Sequence, residues 1–464
     1  MSGVAMSSPF PIAILLASYQ GERFLAAQLD SIAAQSCANW RLVVSDDGSS
    51  DATREILRRF AAAHPDREIE LRDGPRRGAT RNFLSLLDVV RPGEAVAWCD
   101  QDDVWLSDRL ACGVAGIIAA QPGTSGADAV QPHKPQRRIE SLRELQSVVM
   151  PAVNAASAGT CGRDAGEMRA PGLPAEKPPA VSPPGPEARG HKAHRRNASH
   201  DRIRPAAVPA LPMSPDRNPT AVLHVARTTI CTADLRPIRA APLYRRPPGF
   251  RNALVQACTP GNTMLIDPAG VALLRQARVH AIKAGVVSHD WWSYLLIAGA
   301  GGLVIRDPAQ TVLYRQHGAN LVGRNDSFRT MWSRLLRLGT GDFALWLRRN
   351  IGALQGARSL LTPENAALLD RFARTLDRPG PVAAAELARM GIYRQTRAAS
   401  AALLAAAATG RLAAGQGRAP SSIRHPAAAD SGAGRSIRYW QHAAPAAFRG
   451  PLASPVDPNS GMRD

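Results

Sequence analysis

Along the first 120 residues, short unbroken apolar runs alternate with stretches in which apolar residues recur every three to four positions. Residues 10–17 form one such run, the pattern of a strand buried on both faces, and residues 22–34 carry the helical spacing. The unit then repeats. Residues 41–45 predict a second strand ending at Asp46-Asp47-Gly48-Ser49, and residues 51–63 an amphipathic helix with Ser50 or Asp51 as its N-cap. Residues 68–72 predict a third strand, 80–90 a helix, and 95–99 a fourth strand ending at Asp100. Strands alternating with helices predict an α/β fold with a mostly parallel sheet and right-handed crossovers. The polar clusters follow strands one, two and four, at the carboxyl ends where open α/β sheets hold ligands.

The pattern then breaks. Residues 121–220 hold sixteen of the 37 prolines, and no Phe, Tyr or Trp occurs between Leu106 and Leu243. Such a stretch cannot bury enough apolar surface to offset its conformational entropy, so it reads as a disordered insertion with one helical island at 138–149. Its composition and abrupt edges also resemble translated non-coding or frameshifted sequence. Strand-like patterning resumes at 221–226 and 264–266, with a helix over 271–279. The expected organisation is a first half-domain at 10–120, the insertion at 121–220, a second half-domain at 221–325, a helical extension at 326–412 and a disordered tail at 413–464.

Composition sharpens this picture in three ways. Against 38 acidic residues stand 57 Lys and Arg, a net charge of +19 that points toward anionic partners without choosing among them. The six cysteines are dispersed with no CxxC pair, which argues against a zinc knuckle and for a reducing, cytoplasmic home. No basic residue precedes the N-terminal apolar run and no segment reaches the length of a membrane span, so a soluble or membrane-surface protein is expected.

Three clusters carry candidate chemistry. Asp46 and Asp47 are adjacent carboxylates at a sheet edge, which repel one another and call for a ligand or cation, although a simple turn also accounts for them. Asp100-Gln101-Asp102-Asp103-Val104-Trp105 places three carboxylates within four residues, a local charge suited to a hard divalent cation. D-x-D alone is a weak signal; its place after the fourth strand strengthens it. The third cluster is Ser288-His289-Asp290-Trp291-Trp292, followed by Tyr314-Arg315-Gln316-His317-Gly318. Two Trp beside a His-Asp pair suit a sugar platform, and equally a core Trp pair beside a helix N-cap.

Taken with Leu16-Ala17-Ser18-Tyr19-Gln20-Gly21, Arg77-Gly78-Ala79-Thr80-Arg81-Asn82-Phe83 and Thr259-Pro260-Gly261-Asn262-Thr263, these pieces resemble, in order, the inverting family-2 glycosyltransferases of the GT-A fold, in their rhamnosyltransferase-like branch. The resemblance covers about residues 10–120 and 221–400. It implies a GT-A type Rossmann-like sheet flanked by helices, with a nucleoside-diphosphate sugar as donor and a glycan or lipid-linked acceptor. Ala17, Ser18, Tyr19, Asp46, Asp47, Arg81, Asn82, Gly261 and Arg315 would then bind the nucleotide sugar. Asp100, Asp102 and His317 would hold a divalent cation, Mg2+ or Mn2+. Asp290 would be the catalytic base, and Trp105, Trp291 and Trp292 would contact the acceptor.

Those assignments agree with the chemistry of the residue types. A departing nucleoside diphosphate develops negative charge that a cation and Arg315 can neutralise, and the acceptor hydroxyl needs one carboxylate to take its proton. A single displacement inverts the anomeric centre. The competing readings are a basic nucleic-acid-binding protein and an inactive scaffold. Acidic clusters at the presumed site disfavour nucleic acid, whose phosphates they would repel. Residues 331–349, which interleave Trp332, Leu335, Phe343 and Trp346 with Arg334, Arg337, Arg348 and Arg349, suit either peripheral contact with the inner face of the cytoplasmic membrane or a helical pair packed on the catalytic domain.

Overall fold

A computed structural model describes residues 8–121, 220–316 and 342–413. The helical island, His317, most of the basic stretch from residue 331, and all but the edges of the expected insertion and tail lie outside the described residues.

Strand β1 (Ile12–Ser18) is buried along its whole length because both faces are covered, which is why its sequence is an unbroken apolar run. Its side chains alternate between two cores. Ala13, Leu15 and Ala17 join one apolar cluster, whereas Ile12, Ile14 and Leu16 join another on the opposite face. Truncating Leu15 or Leu16 to Ala would cost about 2–5 kcal/mol, since a close-packed core only partly closes over the hole.

Strands β2 (Trp40–Asp46), β3 (Ile69–Asp73) and β4 (Ala95–Asp100) run parallel to β1 in the order β3-β2-β1-β4. The sheet continues through β8 (Met264–Ile266), β6 (Val222–Cys231), β9 (Leu303–Arg315) and β5 (Val104–Trp105), with β7 (Pro237–Ala240) paired to β6. β8 is antiparallel to both β4 and β6, while β6 and β9 run parallel. The result is a mixed, mostly parallel sheet with helices on both faces, as the alternation of patterns predicts. Helices α1 (Leu25–Ala33), α2 (Thr53–Ala63) and α4 (Arg109–Ala119) pack on one face. On the other lie α3 (Ala79–Leu86), α5 (Pro268–Ala284) and α6 (His289–Gly299), together with α7 (Asp342–Gly356), α8 (Pro363–Thr375), α9 (Gly380–Arg389) and α10 (Arg397–Ala408).

Local sequence sets where these helices begin. Asp267 caps α5 by accepting from Gly270 N at 2.8 Å, Pro268 starts its first turn, and Gly285 ends it in the left-handed region at φ 66°. Asp267 also accepts from Val222 N at 2.9 Å, which ties the helix start to β6. At α2 the helix starts two residues after Asp51, whose Oδ1 accepts from the amide and hydroxyl of Thr53, so neither Ser50 nor Asp51 occupies the cap position itself.

Register decides what meets at the edge. Ser18 pairs with Asp46 and Ala17 with Asp100, so the carboxyl ends of β1, β2 and β4 finish level with one another. Because β8 is antiparallel to β4, the turn that precedes it, Gly261–Thr263, reaches that same edge. Among the described residues no helix is long and apolar enough to cross a membrane.

Candidate active site

The turn after β4 is fastened from several sides. Gln101 clamps the backbone of Tyr19, accepting from its amide at 2.8 Å and donating to its carbonyl at 2.9 Å. A Cβ on Gly21 would stand 2.4 Å from the Gln101 Oε1, so a side chain there would push the Gln101 amide out of this clamp. Asp103 is fully buried and accepts from Asn262 Nδ2 at 2.5 Å and from Arg315 N at 3.2 Å. Arg315 Nε in turn donates to the Asp102 carbonyl at 2.9 Å. The turn is therefore a rigid platform whose geometry is set by β1, by the Gly261–Thr263 turn and by the end of β9.

On that platform sits Asp100. Burial and the neighbouring charges of Asp102 and Asp290 push its pKa up to about 8. This identifies a convergence: Asp290, from the first turn of α6, lies close enough to act electrostatically on a carboxylate 190 positions earlier. Like charges held together at a partly buried site favour protonation or a bound cation. Oxygen donors of this kind fit a hard divalent cation, with Asp100 and Asp102 as the residues that would hold it.

The head of α6 and the Gly261 turn meet closely. A Cβ at Gly261 would lie 2.8 Å from His289 Nε2 and 3.2 Å from Asp290 Cβ. The His289 ring stacks on Phe83 with centroids 3.8 Å apart and meets Trp98 edge-on at 5.2 Å. Burial pulls its pKa down to about 4 against the opposing pull of Asp290, so the imidazole is neutral at pH 7. Its buried Nε2 has no hydrogen-bond partner. Asp290 Oδ1 accepts from Trp291 N at 2.7 Å, which fixes the carboxylate over the start of its own helix.

Several expected contacts take a different form. Trp105, Trp291 and Trp292 are 2, 4 and 0 % exposed, so none offers a ring face to an acceptor. Trp291 Nε1 donates to Ala253 O at 2.7 Å, and Trp105 lies under the Arg109 guanidinium at 3.7 Å; packing wins because burying an indole removes more apolar area from water than any other side chain. Arg315 is 5 % exposed and spends its guanidinium on the carbonyls of Asp102 and Ala233, bracing the turn rather than reaching toward a diphosphate. Asn82 is fully buried, and its amide accepts from Ser45 Oγ at 2.5 Å and donates to Ser45 O at 2.8 Å. Arg81 donates to Ile282 O at 3.0 Å, linking α3 to α5.

Asp46 and Asp47 are both held by the turns around them. Asp46 accepts from Ser18 Oγ at 3.0 Å and from Ser49 N and Oγ at 3.0 and 2.5 Å, with Arg54 Nε 3.4 Å away. Asp47 accepts from Arg76 N at 2.6 Å and Gly78 N at 2.9 Å, organising the loop ahead of α3. Ala17, Ser18 and Tyr19 stand at the edge beside them, the first two buried and Tyr19 half-buried. His317 lies outside the described residues, one position beyond Gln316. Sequence reasoning passed over Asp103, Asn262 and His289 as positioning groups, although each sits inside a motif it singled out.

A carboxylate-rich edge on this strand order is the setting in which the comparison with known proteins has meaning. Residues 13–124 match the family model described as Glycosyl transferase family 2. This segment belongs to that family. Within it, the chain is 30 % identical over 99 residues to the UDP-Glc:alpha-D-GlcNAc-diphosphoundecaprenol beta-1,3-glucosyltransferase WfgD of Escherichia coli, a match covering 21 % of this chain and 38 % of that one. It is 31 % identical over 99 residues to the dTDP-rhamnosyl transferase RfbG of Shigella flexneri, covering 20 % of this chain and 34 % of that one. These matches span less than two fifths of the length of either relative. Among solved structures, the mannosyltransferase PcManGT from Pyrobaculum calidifontis in complex with GDP-Man and Mn2+ aligns over 88 % of this chain and 90 % of its own, at 17 % identity and a TM-score of 0.36.

Proposed function

We propose that the protein is an inverting glycosyltransferase that moves a sugar, a deoxyhexose such as rhamnose, from a nucleoside-diphosphate donor to a hydroxyl of a polysaccharide or lipid-linked glycan. The observation that carries this reading is the convergence of Asp290 with Asp100 and Asp102 at the carboxyl edge of the sheet. In this reading one carboxylate group holds a cation and another takes a proton, which is the division of labour that transfer by single displacement needs.

In this reading Asp290 accepts the acceptor hydroxyl's proton as its oxygen bonds to the anomeric carbon and the bond to the leaving phosphate oxygen breaks. The attack comes from the face opposite the diphosphate, so configuration inverts and no enzyme nucleophile is required. A divalent cation, Mg2+ or Mn2+, bound by Asp100 and Asp102 with His317, would supply charge neutralisation for the diphosphate. Asp103, Asn262 and Arg315 keep the turn carrying those ligands in place. The donor's nucleotide lies over the Ala17–Ser18–Tyr19 end of β1, with Asp46 held rigid by Ser18 and Ser49 to receive the base. Neutral His289 and Gly261 set the distance between the acceptor side and Asp290.

Membrane contact has weaker support. Within α7, Phe343 and Leu347 pack into the core at 6 and 1 % exposure while Leu345 is exposed, so the described part of the basic stretch favours the packed helix. The test of the main reading is turnover of a panel of nucleotide sugars with and without Mg2+. Asp290→Asn should retain donor binding and lose transfer by at least about a hundredfold, the usual contribution of a general base. Wild-type turnover in that variant would overturn the assignment.

A further inference from the structure

On the opposite face of the sheet from α6, Cys112 of α4, His224 of β6 and Asp307 of β9 bring a sulfur, an imidazole nitrogen and a carboxylate oxygen within 4.8 Å of one another. Asp307 Oδ2 lies 3.3 Å from Cys112 Sγ and 3.3 Å from His224 Nε2. We propose that these three side chains form a Zn2+ site, separate from the carboxylate edge.

Geometry supports the choice of metal. Zinc bonds oxygen and nitrogen at about 2.0 Å and sulfur at about 2.3 Å, so tetrahedral edges run to about 3.3 Å between O and N and about 3.5 Å between O and S. Both 3.3 Å spacings from Asp307 Oδ2 are close to those edges, and the sulfur and the imidazole nitrogen lie within 4.8 Å of each other. A mixed thiolate, imidazole and carboxylate set suits zinc, whereas Mg2+ prefers oxygen alone.

The surroundings are built for the histidine. His224 is 1 % exposed in a strand whose neighbours are apolar, a position where a hydrophobe would ordinarily sit. Gly116, in the interior of α4, makes its room: a Cβ there would stand 2.3 Å from Cδ2 and 2.8 Å from Nε2 of the ring. A mid-helix glycine is destabilising relative to alanine. Asp307 Oδ1 accepts from Ala309 N at 2.7 Å, which turns Oδ2 toward the other two donors. The Asp307 side chain is 26 % exposed, leaving an entry path and a water for the fourth position.

Metal binding would release the Cys112 thiol proton to solvent and move the His224 proton from Nε2 to Nδ1. That second nitrogen is buried without a hydrogen-bond partner, so the ring is held by packing. Sites lacking such an outer contact bind about 10–100-fold more weakly than fully supported ones. The site would pin the last helix before residue 122 to the first strand after residue 219.

The test is a Co2+ titration of the full chain followed by absorbance. The expected result is a near-ultraviolet thiolate-to-metal band that saturates with one equivalent, disappears in Cys112→Ser, is lost or weakened at least tenfold in Asp307→Asn, and persists in Asp102→Ala. No band, or a band unchanged in Cys112→Ser, overturns the proposal. Should Cys112→Ser fail to fold, wild-type protein answers the question through iodoacetamide labelling read by peptide mass: Zn2+ should slow modification of Cys112 at least tenfold, and an unchanged rate overturns the site.

Discussion

Asp103 and Asn262, 159 positions apart, share a 2.5 Å hydrogen bond that joins the carboxylate turn to the Gly261–Thr263 turn. Burial, together with Asp102 and Asp100, raises the Asp103 pKa well above the usual carboxylate range, so the Asn262 donor is part of what keeps this acid in place. Arg109 completes the junction by donating to the carbonyls of Asn262 and Met264 at 3.0 and 2.9 Å. Asn262→Ala strips a buried acceptor of its partner and should lower stability by about 1–3 kcal/mol. The check is the urea midpoint at unchanged m-value; a midpoint equal to wild type would show the bond to be dispensable.

His289 predicts an acid-side loss of stability. Its folded pKa of about 4 lies below the ordinary imidazole value of about 6.5. Above the upper value both states hold a neutral ring and the group contributes no pH dependence. As pH falls between the two values the unfolded chain takes up a proton that the folded one refuses, so stability declines by roughly 3 kcal/mol in all. Denaturation curves across that window should show the decline in wild type and its removal in His289→Gln. Parallel curves for the two proteins would mean that the ring is not held neutral.

Much of the first half-domain was legible in sequence because β1, β2 and β4 are buried on both faces and its helices are amphipathic, so these three strands appear as apolar runs followed by polar clusters, acidic after β2 and β4. β9 was not, since residues 305–310 are all part-exposed or exposed and Pro308 interrupts the strand, a pattern that resembles loop more than strand. The site shows the same division. Asp100, Asp102 and Asp290 could be picked out as candidates because charge at a strand end or a helix start is visible locally. The burial of Trp105, Trp291 and Trp292, and the diversion of Asn82 and Arg315 into bracing, depend on which elements pack above them, and no local pattern encodes that.

Gly261 predicts a geometric sensitivity. Alanine there would place its methyl 2.8 Å from His289 Nε2 and 3.2 Å from Asp290 Cβ, forcing the turn and the head of α6 apart. Small displacements of a catalytic group cost rate steeply, so Gly261→Ala should lower kcat by about a hundredfold with a modest effect on donor binding. Kinetics with a competent acceptor would check it. A variant with unaltered kcat would show that the turn can yield without moving Asp290.

Asp100 ties cation binding to pH. Without a cation its pKa is about 8, because burial and the charges of Asp102 and Asp290 disfavour ionisation. In that state a proton sits where a cation would, and ionising the group costs the folded chain stability as pH climbs from the ordinary carboxylate range toward that value. Binding must expel the proton. Apparent Mg2+ affinity should therefore rise about tenfold per pH unit below the Asp100 titration and level off above it. Mg2+ is the cation to use, since the thiolate, imidazole and carboxylate cluster on the other face has little affinity for it. Calorimetric titrations across that range should trace the slope in wild type and a flat line in Asp100→Asn. A flat wild-type profile would mean that the three carboxylates do not share one electrostatic field.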